Sequence, residues 1–256
     1  MCEKCGCDNS GHHNHEYHVH KRDGHLHMHT HSHEKAHEHS ESREITVEEK
    51  VLAANDRLAD ENRRWLLDRG VVAVNIISSP GSGKTMLLEK TLDMLKDRIK
   101  CAVITGDQQT DNDAVRLQGR GAQVLQIETY SSCHLTAEQI SRVLPSVVDD
   151  DTKLLFIENV GNLVCPAAFD LGENFKVALL STTEGEDKPV KYPVLFARSQ
   201  AVIISKIDLI PHLDWDIAKC RKYIQQVHPG AFTFELSAKT GEGMALWIDY
   251  LKKITC

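Results

Sequence analysis

The chain has 256 residues, with 30 Lys and Arg against 37 Asp and Glu and a formal net charge of −7. Hydrophobic residues at 41% and charged residues at 26% are ordinary for a folded protein and exclude a fibrous or wholly disordered chain. The acidic balance argues against a general nucleic-acid-binding surface, and no apolar run approaches the roughly 18 residues of a membrane span.

The N-terminal stretch stands apart. Cys2, Cys5 and Cys7 fall within one short turn, with Gly6 permitting the bend. Three thiolates and one further donor make a four-coordinate site, tetrahedral for Zn²⁺ or square-planar for Ni²⁺. Twelve of the 15 histidines follow (His12, His13, His15, His18, His20, His25, His27, His29, His31, His33, His37 and His39). Their spacing suits weak, multiple binding of borderline metals, a reservoir rather than a tight site. Residues 1–43 carry little apolar surface to offset the entropy of ordering, so a metal-binding tail, disordered without metal, is expected. No apolar signal segment opens the chain, and its eight cysteines therefore read as reduced thiols of a cytoplasmic protein.

Residues 44–256 are expected to form one domain with a helical N-terminal extension. Thr46 and Glu49 form a capping box, Val51, Leu52, Leu58, Trp65 and Leu66 follow at helical spacing, and Gly70 fits a helix stop. From Val71 onward, apolar runs alternate with helical stretches. The runs are Val71–Ile77, Cys101–Thr105, Gln123–Ile127, Leu154–Ile157, Val177–Ser181, Ala201–Ile204 and Ala231–Leu236. Helical stretches are Met86–Arg98, Asp113–Gly119, Thr136–Leu144 (with a Thr136/Gln139 capping box), Asp214–Val227 and Gly243–Ile254. Several runs are apolar throughout, as strands covered on both faces must be. The alternation predicts an α/β domain, a mostly parallel sheet with helices on both faces.

The chemistry sits at the ends of these strands. Ser78-Ser79-Pro80-Gly81-Ser82-Gly83-Lys84-Thr85 joins a strand to a helix and makes a P-loop, with Ser78 where the usual pattern has Gly. Gly81, Ser82 and Gly83 turn backbone N–H groups toward phosphate, Lys84 reaches the outer phosphates, and the Thr85 hydroxyl suits Mg²⁺. Glu158-Asn159-Val160-Gly161 resembles the D-x-x-G of GTPases: Glu158 could hold Mg²⁺ through water, and Gly161 offers an N–H to the γ-phosphate. Ser205-Lys206-Ile207-Asp208 resembles N-K-x-D. The Asp208 carboxylate could accept two hydrogen bonds from a guanine edge, with the Lys206 stem packed on the base. Ser237-Ala238-Lys239 resembles the segment that completes a guanine pocket, so GTP is favoured over ATP. Asp107 is a further candidate for Mg²⁺ or for positioning water, in competition with Asp111 and Asp113. Cys133, His134 and Cys165 form a second set of metal-ligand candidates, an incomplete shell that water or a second subunit could finish. Cys101, Cys220 and His228 are isolated and read as structural.

Together, Cys2-x-x-Cys5-Gly6-Cys7, the histidine tract, the Ser78–Thr85 loop, Asp107, Cys133-His134, the Glu158–Cys165 run and Ser205–Asp208 closely resemble the HypB family of nickel-incorporating hydrogenase maturation GTPases. The resemblance implies slow GTP hydrolysis, with Lys84, Asp107 and Glu158 in the catalytic centre and Thr85, Asp107 and Glu158 around Mg²⁺. It implies tight nickel binding by Cys2, Cys5 and Cys7, and Ni²⁺ or Zn²⁺ binding by Cys133, His134 and Cys165. It further implies a homodimer favoured by GTP and nickel delivery to the large subunit of a [NiFe] hydrogenase with a zinc-containing accessory protein. A urease-type nickel accessory GTPase, or a nickel or zinc storage protein with a vestigial nucleotide site, are the alternatives.

Overall fold

The computed structural model describes residues 18–22, 25–29, 38–107, 112–129 and 132–255. The chain divides into two compact units, Met1–Glu49 and Lys50–Cys256. In the first, β1 (His18–Arg22) and β2 (His25–His29) pair antiparallel, with His18 opposite His29. Cys2, Cys5 and Cys7, and the histidines of the tract outside these strands and His39, lie outside the described residues.

Helix α1 spans Glu38–Asp68, so Thr46 and Glu49 lie inside the helix and do not cap its start. Residues 38–45 include no proline or glycine, and nothing in them stops the helix from extending backward. The stop at Gly70 is as expected, with the residue left-handed at φ 64°. The second unit continues β3 (Val72–Ser78), α2 (Lys84–Leu95), β4 (Cys101–Asp107), α3 (Asn112–Leu117), β5 (Gln123–Glu128), α4 (Ala137–Val147) and β6 (Leu154–Glu158). Then come α5 (Cys165–Ala168), β7 (Phe175–Ser181), α6 (Lys188–Lys191), α7 (Pro193–Arg198), β8 (Ala201–Ser205), a 3₁₀ turn at Ile207–His212, α8 (Ile217–Val227), β9 (Phe232–Leu236) and α9 (Met244–Ile254). Helix α2 ends short of the expected Arg98, where Asp97 turns left-handed at φ 64°. The expected Thr136/Gln139 capping box does start α4, its side chains and backbone N–H groups bonded reciprocally.

β3 to β9 make one seven-stranded, all-parallel sheet in the order β5-β4-β6-β3-β7-β8-β9. Alternate residues of each strand serve opposite faces. Val74, Ile76, Val103, Phe156, Val177 and Ile203 pack under α2 and α9 around Trp247, whose indole N–H donates to Thr91 Oγ1 at 3.1 Å. Ala73, Ala102, Ile104, Leu155 and Ile157 meet α1 and α4, while Ala178, Leu180, Val202 and Ile204 meet α7 and α8. Both faces are thus covered, which is why the strands are apolar throughout. From β3 the chain first builds the β6-β4-β5 side and later returns through β7. Strand order therefore switches at the end of β3, where open α/β sheets bind ligands. Among the described residues, no helix is long and apolar enough to cross a membrane.

Helix α1 is attached through buried asparagines. Asn62 Nδ2 donates to the carbonyls of Ala137 (2.8 Å) and Leu171 (3.0 Å). Asn55 accepts from Ala137 N at 2.9 Å and donates to Asp170 O at 2.7 Å. Asn62→Ala, which removes both of these buried hydrogen bonds, is expected to cost about 2 kcal/mol in urea denaturation; an exposed control such as Glu61→Ala should change little.

Candidate functional site

The P-loop leaves β3 and enters α2 through Gly83, left-handed at φ 98°, a conformation that aims the first N–H groups of the helix into the loop. Lys84 is buried, and its ammonium donates to Ser78 Oγ at 3.0 Å, so the serine at the unusual first position receives the lysine. Burial pushes the Lys84 amine below its usual range, while Glu158, Asp113, Glu184 and Asp107 oppose that shift.

β6 lies in register beside β3, with Glu158 opposite Ile76. This brings the Glu158 carboxylate to the P-loop, where Thr85 Oγ1 donates to its Oε1 at 2.8 Å. Its other oxygen, Oε2, is fully buried and accepts no hydrogen bond among the described residues. A hydroxyl, a carboxylate oxygen with unused lone pairs and the carboxylates of Asp107 and Asp113 on the same cleft form a hard-oxygen donor set that fits a divalent cation such as Mg²⁺. Asp113 also pairs with Arg116 at 3.7 Å; Asp111 lies outside the described residues. Gly161 follows so close to the loop that a β-carbon there would stand 2.9 Å from Pro80 Cγ and 3.0 Å from its Cα and N. P-loop, Asp107 and Glu158–Asn162 enclose a cleft of about 580 Å³.

A second cavity of about 260 Å³ adjoins it across Gly83, lined among others by Asp208, Ser237, Ala238 and Lys239. Lys206 sits left-handed at φ 60°, unusual for a residue with a β-carbon, and its ammonium donates to Gly81 O at 2.7 Å. Ser205, which stands where N-K-x-D has Asn, donates from Oγ to Ser82 O at 2.8 Å. The base-side motif is thereby tied directly to the phosphate loop.

Glu184 is a residue that the motifs did not reveal. Its carboxylate accepts from Ser82 Oγ at 2.6 Å and Ser181 N at 3.2 Å and pairs with Lys188, which itself donates to Ser79 Oγ. The only sequence signal was its place just after a strand end, beside the other motif-bearing ends.

Cys133 and His134 lie in the loop after β5, and Cys165 opens α5. Their ligating atoms lie within 4.8 Å of one another, the only such group of His, Cys, Asp or Glu among the described residues. Cys133 Sγ is 3.6 Å from His134 Nδ1, and the His134 ring rests 3.9 Å from that of Phe169. Burial lowers the imidazole's proton affinity, favouring the neutral form that binds metal. Two thiols and an imidazole suit a borderline d-block ion rather than Mg²⁺. Cys133 also lines the nucleotide-side cleft. By contrast, Cys101 and Cys220 are buried thiols pushed up to about 12, and His228 Nδ1 lies between the carbonyls of Phe196 and Ser199.

A family model of the CobW/HypB/UreG nucleotide-binding domain matches residues 72–235. The hydrogenase maturation factor HypB of Escherichia coli strain K12 is 49% identical over 217 residues, covering 85% of this chain and 75% of that protein. The chain belongs to the HypB family of hydrogenase maturation factors. Among solved structures, HypB of Archaeoglobus fulgidus matches with a TM-score of 0.76 at 40% identity, covering 80% of this chain and 100% of that one. HypB of Helicobacter pylori, solved in complex with nickel, matches with a TM-score of 0.75 at 37% identity, covering 79% and 95%. This HypB-family fold is that of P-loop GTPases.

Two outcomes follow from the cleft. Gly161→Ala must push against Pro80 and is expected to weaken binding of a GTP analogue at least tenfold in titration calorimetry, with GDP affected less. Burial raises the Glu158 carboxyl to about 7 in the nucleotide-free protein. A raised folded-state value means that its stabilising contribution is complete below the unfolded value of 4.5 and is lost as pH climbs through 7. Glu158→Gln, which mimics the protonated form, is therefore expected to melt above the wild type at pH 8 and to lose that advantage at pH 5. An equal difference at both pH values in thermal melts without nucleotide or metal would contradict the assignment.

Proposed function

We propose that the chain is a GTP-hydrolysing metallochaperone that binds Ni²⁺, and Zn²⁺ at the same type of ligand. In this reading it acts in the cytoplasm, as a homodimer favoured by GTP, and delivers nickel to the large subunit of a [NiFe] hydrogenase together with a zinc-containing accessory protein. The observation that carries the proposal is that Cys133, one of three converging ligand residues, lines the same cleft as Lys84, Glu158 and Gly161. The nickel complex of the Helicobacter pylori relative supports nickel as the cargo.

In this reading Gly81, Ser82 and Gly83 cradle the phosphates, Lys84 leaves Ser78 for the outer phosphates, and Asp208 with Ser237, Ala238 and Lys239 selects guanine. Thr85, Asp107 and Glu158 would hold Mg²⁺, which neutralises phosphate charge when bound. The Gly161 N–H senses the γ-phosphate. Since Cys165 lies a few residues downstream of Gly161, movement of this segment changes the position of its thiol against Cys133 and His134. Hydrolysis of GTP to GDP and phosphate then releases or transfers the ion. Cys2, Cys5 and Cys7 form a separate tight nickel site, and the histidine tract a reservoir.

Nickel affinity at Cys133, His134 and Cys165 should differ several-fold between the GDP-bound protein and that bound to a non-hydrolysable GTP analogue; equal affinities and release rates would remove the coupling. Lys84→Ala is expected to lower GTP hydrolysis about 100-fold and to abolish hydrogenase maturation. A Lys84→Ala chain that still matures hydrogenase would turn the reading toward nickel storage.

A further inference from the structure

Resting on the coupling just described, we propose that Asn159 is the positioning residue through which the nucleotide-sensing segment sets the Cys133–His134 loop. Asn159 lies between Glu158 and the Gly161 turn and is 1% exposed. Its backbone N–H donates to Ile76 O of β3 at 3.1 Å, which fixes its main chain beside the strand that launches the P-loop. Its side-chain Oδ1 accepts from two N–H groups: Val160 N at 3.0 Å, in its own segment, and Leu135 N at 3.3 Å, the residue immediately after His134. One carbonyl oxygen thus bridges the nucleotide-sensing segment and the ligand-bearing loop.

The amide end is held as well. Asn159 Nδ2 donates to Asn75 Oδ1 at 3.3 Å, Asn75 Nδ2 donates to Glu173 Oε1 at 3.2 Å, and Glu173 Oε2 accepts from Leu171 N at 2.7 Å. Asn75 is fully buried in the middle of β3, a costly place for an amide unless its hydrogen bonds are made. The chain of bonds runs from the turn after β6, across β3, to the segment that follows Cys165. Residues downstream of the candidate ligands are anchored in a second way: Ala137, after His134, and Leu171, after Cys165, both accept from Asn62 of α1. The Cys133–His134 loop is therefore pinned at Ala137 to a helix and at Leu135 to the nucleotide-sensing segment. A displacement of Val160 and Gly161 toward a γ-phosphate pulls on the Asn159 carbonyl and must either drag Leu135 with it or break that bond. Both outcomes alter the placement of His134 and Cys133 relative to Cys165.

The test uses the full chain with Cys2, Cys5, Cys7 and Cys256 replaced by Ser; Cys101 and Cys220 are buried thiols, so thiolate-to-nickel charge-transfer absorption reports Cys133 and Cys165 and is blind to the histidine tract. Nickel affinity is read with GDP and with a non-hydrolysable GTP analogue in this protein and in its Asn159→Ala and Asn159→Asp variants. Asp keeps the acceptor for Leu135 N and Val160 N while losing the donor to Asn75 Oδ1, whereas Ala removes both, so the pair isolates the bond to Leu135 from the bond to Asn75. The expected result is that the several-fold nucleotide effect on nickel affinity falls to within about twofold of unity in Asn159→Ala and is kept in Asn159→Asp. Nickel binding is expected to persist in the Ala variant, a pattern that a general loss of structure would not produce. If Asn159→Ala keeps the full nucleotide effect, the assignment of Asn159 is overturned and the coupling stands. If the parent protein shows no nucleotide effect, the coupling fails, and this inference with it. Should Asn159→Ala not fold, hydrogen exchange at Leu135 in the parent decides: protection that differs between the two nucleotide states supports the bridge, and identical protection overturns it.

Discussion

The parallel pairing of β3 with β6 is the constraint on which the rest depends. It sets Glu158 opposite Ile76, so the residue that ends β6 emerges beside the P-loop, which begins at the end of β3. The Thr85–Glu158 hydrogen bond, the burial of Oε2 and the near-contact of Gly161 with Pro80 all descend from that one register. A slip of one residue would turn Glu158 to the opposite face of the sheet and leave the loop without its carboxylate. Because β4 pairs with the other side of β6, the same register brings Asp107 to the cleft from a third strand.

Around this centre, the site is held by polar side chains that the core would otherwise exclude. Asn55, Asn62, Asn75 and Asn159 are all buried, and each has a partner for its amide. Such groups add little net stability when satisfied but are costly when a partner is lost, so they favour one arrangement of loops over its neighbours. Glu184 acts similarly on the other flank, gripping Ser82 while its carbonyl accepts from the Trp215 indole N–H at 2.8 Å.

Much of the fold was legible because it rests on local patterns. Continuous apolar runs such as Leu154–Ile157 mark strands covered on both sides, and the Ser78–Thr85 segment marks its own turn. The start of α1 was not legible: a capping box at Thr46 is a sound local signal, yet helix-compatible residues before it let the helix run on to Glu38. The asparagine contacts were hidden for another reason. Asn75 reads as a single polar interruption in an apolar strand, and its partners Glu173 and Asn159 are 98 and 84 residues away. Glu184 reaches Ser82 across 102 residues. The types of the ligand candidates Cys133, His134 and Cys165 could be read from the chain, but their convergence within 4.8 Å arises only when the loop after β5 and the start of α5 meet.

The hydrogen bond that joins the turn after β6 to the Leu135 backbone runs between neutral amides, and this sets how that contact responds to solvent. An ion pair in that place would weaken as salt rises and would vanish when one partner titrated. Amides do neither across the cellular range. The groups proposed to meet phosphate and metal, by contrast, are carboxylates, an ammonium, thiols and an imidazole. Acid or high ionic strength therefore acts on those charged groups, while the Leu135–Asn159 hydrogen bond has no charge to screen or titrate.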